Sequence, residues 1–136
     1  TTRILGNTFH DVDIAIAAKK VIVTCEELVS DEYIKNYDAA DNKIPGFCVD
    51  AVVHAPFGAH PSQCYDYYDY DADFYKMYNV ESKTEENFNA FLDEWVYGVK
   101  DHEEYLNKLG ATRLIGLKNV PGFGYSTDAL KKGEDK

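Results

Sequence analysis

Three cysteines among 136 residues, Cys25, Cys48 and Cys64, are an odd number without paired short spacing, which suggests neither a disulfide framework nor a zinc ribbon. No apolar run approaches the about eighteen residues that a membrane-crossing helix needs. Basic residues are scarce as well: 14 Lys and Arg face 24 Asp and Glu, a formal charge of −10, so nonspecific binding to nucleic acid or an anionic membrane is not expected. A glycine-rich phosphate loop, a GxSxG elbow and a kinase signature are all missing. So is a basic-then-apolar leader with a small-residue cleavage site, and the thiol usage fits a reducing cytoplasm, the expected location. What is plentiful is core-forming: 45% hydrophobic and 14% aromatic residues exclude general disorder in a chain of single-domain length. Thr1 opens the chain and Thr1 to Leu5 already reads as a strand, so it reads as the later part of a longer protein.

The patterning predicts α/β organisation. Val21-Ile22-Val23-Thr24-Cys25 is a continuous apolar, β-branched run, as in a strand covered on both faces of a parallel sheet. A strand at Arg3 to Leu5 and a helix from Asp11 to Lys20, capped by Asp11, precede it and suggest a right-handed parallel unit. A short helix is expected around Asp31 to Tyr37, and Pro45-Gly46 then breaks the chain. Phe47 to Ala55 forms a second strand-like run, interrupted by Asp50, whose charge must reach water, a cation or backbone donors. Two prolines and a glycine make Pro56 to Pro61 a loop of fixed shape. Asp71 or Asp73 can cap a helix bearing Phe74, Met77 and Tyr78. Ser82 and Glu85 have capping-box spacing ahead of Phe88, Phe91, Leu92, Trp95 and Val99, the stripe of an amphipathic helix. Asp101 to Leu109 is expected to be helical, stopped by Gly110, and 111–118 to add a turn or two. The resulting division is a βαβ-type sheet part at 1–56, a loop at 57–73, a helical part at 74–118 and a polar tail at 119–136.

Ligands of open parallel sheets sit beyond the carboxyl ends of the strands, which directs attention to Cys25-Glu26-Glu27 and to Phe57 to Pro61. Glu26 and Glu27 can serve as acid, base, nucleophile or acceptor; alternatively they open a helix and favour its positive end. His60 can present its imidazole, or the loop its amides, to a carboxylate or thioester oxygen; the plain alternative is a solvent-facing loop histidine. Surface or hydrogen-bonded structural roles are expected for His10, His54 and His102. Pro61 argues against a metal site made by His54, His60 and Cys64. Asp69, Asp71 and Asp73 copy the start of a calcium loop, but Phe74 stands where glycine is needed and Val80 where a bidentate glutamate belongs, so caps and turns explain them better. The tyrosines between them are expected to be packing or interface residues, and Cys25 and Cys48 small hydrophobes.

Three long segments, AAKKVIVTCEELV, IPGFCVDAVVHAPFGAHPSQCYDYYDYD and FLDEWVYGVKDHEEYLNKLG, closely resemble the C-terminal part of the A (alpha) subunits of the glutaconate CoA-transferase family, the family I CoA-transferases. The likeness runs through most of the chain, and the GAHP loop followed by YYDYD is its most distinctive portion. It implies an open, mostly parallel α/β sheet with flanking helices, ending here in a helical segment, and an A and a B subunit that pair to form each active site. It also implies ping-pong transfer of CoA from an acyl-CoA to a carboxylic acid, through an acyl-glutamyl anhydride and a glutamyl-CoA thioester. That glutamate belongs to the B (beta) subunit in the glutaconate enzyme, so no catalytic residue is assigned to this chain, nor any metal or covalently bound cofactor. Glu26, Glu27, Gly58, Ala59 and His60 match family segments expected near the cleft and are its expected substrate-binding residues.

The resemblance also implies what the chain needs. The first strands of the family's A subunits are absent from it, so alone it should be inactive and need the missing segment, a B subunit or self-association to cover open apolar faces. A hydrolase that opens a cyclic CoA thioester is the neighbouring alternative, and a noncatalytic interaction module is the alternative from another class. CoA is anionic, so local cations must override the acidic field; Lys19, Lys20, Lys43 and Arg113 are the scattered candidates.

Overall fold

Asp50 interrupts an apolar run, and its partners explain how the first sheet is assembled. Its Oδ1 accepts from Lys20 Nζ at 2.5 Å and its Oδ2 from the Val21 N–H at 2.9 Å. The cation and the backbone donor together hold this carboxyl below its usual range. Asp50 and Ala51 return their own N–H groups to the Val21 carbonyl, so the start of one strand is pinned to the start of the other.

The computed structural model describes residues 1–120 and 124–125, and the chain divides into two compact units, Thr1–Gly58 and Ala59 onward. In the first unit the elements are β1 (Thr2–Arg3), α1 (Asp11–Ala17), β2 (Ile22–Cys25), α2 (Asp31–Lys35), β3 (Asn42–Ile44) and β4 (Ala51–His54). β2 and β4 run parallel with Ile22 opposite Ala51 and Cys25 opposite His54. The fold is therefore open α/β, with its longest ladder parallel and a short antiparallel pair beside it in the same unit.

Several local expectations are corrected. β1 is antiparallel to β3, not parallel to β2, because Arg3 faces Asp41 at 3.6 Å and lies over the Tyr37 ring. The strand foreseen at Phe47 to Ala55 begins only at Ala51: Pro45 leads into a 3₁₀ turn at Gly46–Cys48 that leaves Phe47 90% exposed. α1 ends at Ala17, and Asp11 lies inside it, accepting from the Phe9 N–H at 3.2 Å; His10 occupies the cap position. β2 is not covered on both faces as expected: Val23 is buried, but Ile22 is 67% and Val52 53% exposed, although a parallel ladder is ordinarily sandwiched.

The second unit is helical: α3 (Ala72–Glu81), α4 (Glu85–Leu92), α5 (His102–Leu109) and α6 (Ala111–Leu117). Each of the first three is capped through a side chain, by Asp71, Thr84 and Asp101 respectively. Ser82 ends α3 instead of starting α4, so the expected capping box is replaced by Thr84, which accepts from the Asn87 N–H at 3.2 Å. The amphipathic stripe then passes from α4 into a π-helical turn at Asp93–Tyr97, which widens the turn around Trp95. Phe74, Phe91 and Leu109 form the buried centre, flanked by Met77, Leu92, Trp95, Tyr105, Leu106 and Leu114. Gly110, at φ 86°, lets α5 turn directly into α6. A short pair, β5 (Asn119–Val120) and β6 (Gly124–Tyr125), follows; the rest of the expected tail at 119–136 lies outside the described residues. No helix among the described residues is long and apolar enough to cross a membrane.

Phe74 contacts Phe91 and Trp95 edge-on, at ring separations of 5.9 and 5.0 Å, so Phe74→Ala should cost about 3–5 kcal/mol of stability. Urea unfolding measures this; a loss under about 1 kcal/mol would mean that the cluster is not the core of the unit.

Candidate functional site

The parallel pairing of β2 and β4 places the residues that follow both strands at one edge of the first unit. Residues 26–30 leave the strand without entering a helix, since α2 begins only at Asp31, so Glu26 and Glu27 are not the first turn of a helix. Glu26 turns its carboxylate to the loop after β4, where Oε2 accepts from the Phe57 N–H at 2.8 Å. His54 Nε2 lies 3.2 Å from the Glu26 carbonyl oxygen. Glu27 is exposed.

The loop itself is strained. Phe57 has φ 59°, a left-handed conformation costly for a bulky side chain, and its ring is buried. The Gly58 N–H closes the turn onto the Ala55 carbonyl at 2.8 Å, so tightly that a Cβ on Gly58 would stand 2.7 Å from that oxygen. Only glycine fits there without a shift of backbone. Strain of this kind persists where surrounding contacts over-determine it, and the Glu26 carboxylate is one of those contacts.

Ala59 and His60 belong to the second unit, which holds them by different means. The Ala59 N–H donates to Tyr68 Oη at 2.9 Å, and Tyr68 is almost wholly buried. The imidazole of His60 is buried too, with 0% side-chain exposure, so it neither faces solvent nor presents itself at the surface. Its Nε2 lies 3.0 Å from Asp71 Oδ2 and its Nδ1 2.7 Å from Tyr105 Oη. Asp71 also receives both arms of Arg113, Nη2 at 3.0 Å and Nε in a still shorter contact, and it caps α3 through the Phe74 N–H at 2.9 Å.

These contacts determine the protonation states. Burial alone would raise the Asp71 carboxyl, but the hydrogen bonds from Arg113, His60 and Phe74 overcome it and hold the group at about 2. An ionised Asp71 only accepts, so Nε2 of His60 carries the proton; burial pushes the histidine below its ordinary value against the pull of Asp71, leaving Nδ1 to accept from Tyr105. Burial, with the Asp71 charge adding to it, lifts the Tyr105 hydroxyl to about 12.

Residue patterns along the sequence miss this group. Asp71 is visible as a cap, but Tyr105 and Arg113 lie 45 and 42 residues from their partners, and no local spacing announces them. The cations foreseen for CoA are partly committed: Lys20 to Asp50 and Arg113 to Asp71. Asp73 pairs with Lys76 at 3.1 Å, and among the described residues no three His, Cys, Asp or Glu side chains converge as a metal site would require.

Stability therefore varies with pH in a definite direction. The unfolded chain binds more protons than the folded one below pH 6.5, through His60, and again below pH 3.8, through Asp71; above pH 10 it binds fewer, through Tyr105. The contribution of this cluster should thus be greatest between those limits. The Asp71 share, of order 2 kcal/mol, is present above pH 3.8 and is lost as pH falls through about 2. Urea melts from pH 8 to pH 5 should show a loss that His60→Gln abolishes; an identical acid dependence in both proteins would contradict a neutral buried His60.

No family model matches the chain. It is 65% identical over all 136 residues to the A subunit of glutaconate CoA-transferase from Acidaminococcus fermentans, matching 42% of that protein in its C-terminal part. The A subunit of 3-oxoadipate CoA-transferase from Pseudomonas knackmussii is 38% identical over 95 residues, which are 70% of this chain and 33% of that protein. The crystal structure of glutaconate coenzyme A-transferase from Acidaminococcus fermentans superposes with a TM-score of 0.87 at 65% identity, over 96% of this chain and 41% of that one. The chain thus spans about two fifths of the length of this glutaconate relative. By sequence and by fold, it belongs to the CoA-transferase A-subunit family and corresponds to the C-terminal part of such a protein.

Proposed function

We propose that this chain serves as the C-terminal part of a CoA-transferase A subunit. The whole protein would transfer CoA between an acyl-CoA and a small carboxylic acid of the glutaconate kind. The observation that carries this reading is the 65% identity to the glutaconate CoA-transferase A subunit along the full 136 residues. Identity to the corresponding part of the 3-oxoadipate enzyme is lower, which favours a glutaconate-like acid. Both relatives are named as transferases, which favours transfer over the opening of a cyclic CoA thioester.

The nucleophilic glutamate would come from a B (beta) subunit, giving a cytoplasmic hetero-oligomer in which acyl-CoA is substrate and no resident cofactor is needed. A carboxylate suits this chemistry, because its anhydride and thioester adducts retain the energy of the acyl-CoA bond. Glu26, Glu27 and Gly58 of the first unit, and Ala59 and His60 of the second, remain the proposed substrate-lining residues; for His60 the contribution falls to the backbone, since the ring lies inside. Glu26 is assigned a supporting part, bracing the strained turn at Phe57. The rest of the A subunit, or the partner, would cover the apolar faces of β2 and β4.

The test is CoA transfer from an acyl-CoA to added glutaconate or acetate by the full-length A subunit co-purified with its B subunit. Transfer is expected from the complex and none from the 136-residue chain alone. Thioester cleavage that needs no acceptor acid would overturn the reading. Glu26→Ala should lower kcat/KM about tenfold or more, whereas Glu26→Gln, which keeps an acceptor for the Phe57 N–H, should retain most activity.

A further inference from the structure

Resting on the transfer reading, we propose that His60 is a positioning residue: its imidazole, clamped between Tyr105 and the Arg113-bound Asp71, fixes the backbone of Ala59 to Pro61 in the form that receives the acyl-CoA.

The ring cannot reach a substrate itself. It is fully buried, both nitrogens are engaged, and Phe74 and Tyr105 meet it edge-on at ring separations of 5.0 and 5.8 Å. What its burial accomplishes is to tie down the chain on which it sits. Four further ties reach the same short segment. Tyr68 Oη holds the Ala59 N–H, and the Pro61 carbonyl accepts from the Asp71 N–H at 2.9 Å. The Ser62 N–H donates to the Ala59 carbonyl at 2.8 Å, and Ser62 Oγ meets Tyr75 Oη at 2.7 Å. The anchors come from three helices: Asp71 caps α3, which carries Tyr75, while Tyr105 stands on α5 and Arg113 on α6.

The chemistry of the clamp is informative. An apolar side chain at position 60 would also fill the interior, but it would leave Asp71 Oδ2 and Tyr105 Oη without their imidazole partner. Directional hydrogen bonds differ from apolar contact in fixing orientation, which a loop needs if its outer side is to meet a substrate in one geometry. Ala59 itself remains exposed, so the segment is held from within while its outer side stays accessible. The pattern is that of a supporting shell under a binding loop.

Tyr105→Phe deletes the donor to His60 Nδ1 and keeps the ring that packs beside Trp95, so the variant should fold. In the full-length A subunit paired with its B subunit, kcat should fall about tenfold or more while KM for the acyl-CoA stays within about twofold. Amide exchange at Ala59 and Ser62 should accelerate at the same time. Phe91→Leu, a core change that touches none of the hydrogen bonds, supplies the comparison: at a similar loss of Tm it should leave kcat unchanged. A wild-type kcat in Tyr105→Phe, or an equal fall in both variants, would overturn the positioning role alone. A wild-type complex that transfers no CoA would instead overturn the reading on which the role rests.

Discussion

The second unit depends on one buried carboxylate. Asp71 begins α3 as its cap, grips α6 through Arg113 and reaches the loop before it through His60. Helix start, helix partner and loop are thereby assigned to a single pair of oxygens. A carboxylate in such surroundings is tolerated only with its lone pairs filled, and removing one partner of a buried pair typically costs about 3–5 kcal/mol. The aromatic cluster of Phe74, Phe91 and Trp95 supplies apolar burial, but apolar burial alone does not specify which way the loop faces. The polar group adds that direction.

The first unit uses carboxylates in a parallel manner with less burial. Asp50 pins the beginning of the β2–β4 ladder, and Glu26 pins the loop at its far end. Between these points the strands are short and, apart from Val23, largely exposed, which is intelligible for a piece that spans about two fifths of its relative. A ladder of this kind gains most of its stability from layers packed against both faces.

Much of the architecture is legible in residue patterns. The run Val21 to Cys25 announces β2 because continuous β-branched apolar residues favour a strand, although the expected cover on both faces is missing, and Asp71, Asp101 and Gly110 announce helix ends because capping is local chemistry. The errors arise where the deciding contact is distant. Nothing near Arg3 indicates that Asp41 and Tyr37 will draw β1 into an antiparallel pair. Ser82 and Thr84 are both competent caps two residues apart, but Ser82 is taken up as the end of α3 and Thr84 begins α4. For the candidate site, the GAHP loop stands out for its composition and family likeness, and its tight turn explains Gly58. The fate of the His60 ring is not legible, since a histidine in a loop carries no mark of the residues 11, 45 and, through Asp71, 42 positions from a partner that will enclose it.

Central to the site is a neutral, Nε2-protonated His60 inside a closed chain from Tyr105 through the imidazole to Asp71. Nitrogen-15 NMR of the imidazole reads this directly. A protonated Nε2 and an unprotonated Nδ1 at pH 7, persisting as pH is lowered past the ordinary histidine range, is the predicted result. An imidazolium at pH 7, or a proton residing on Nδ1 instead, would contradict it.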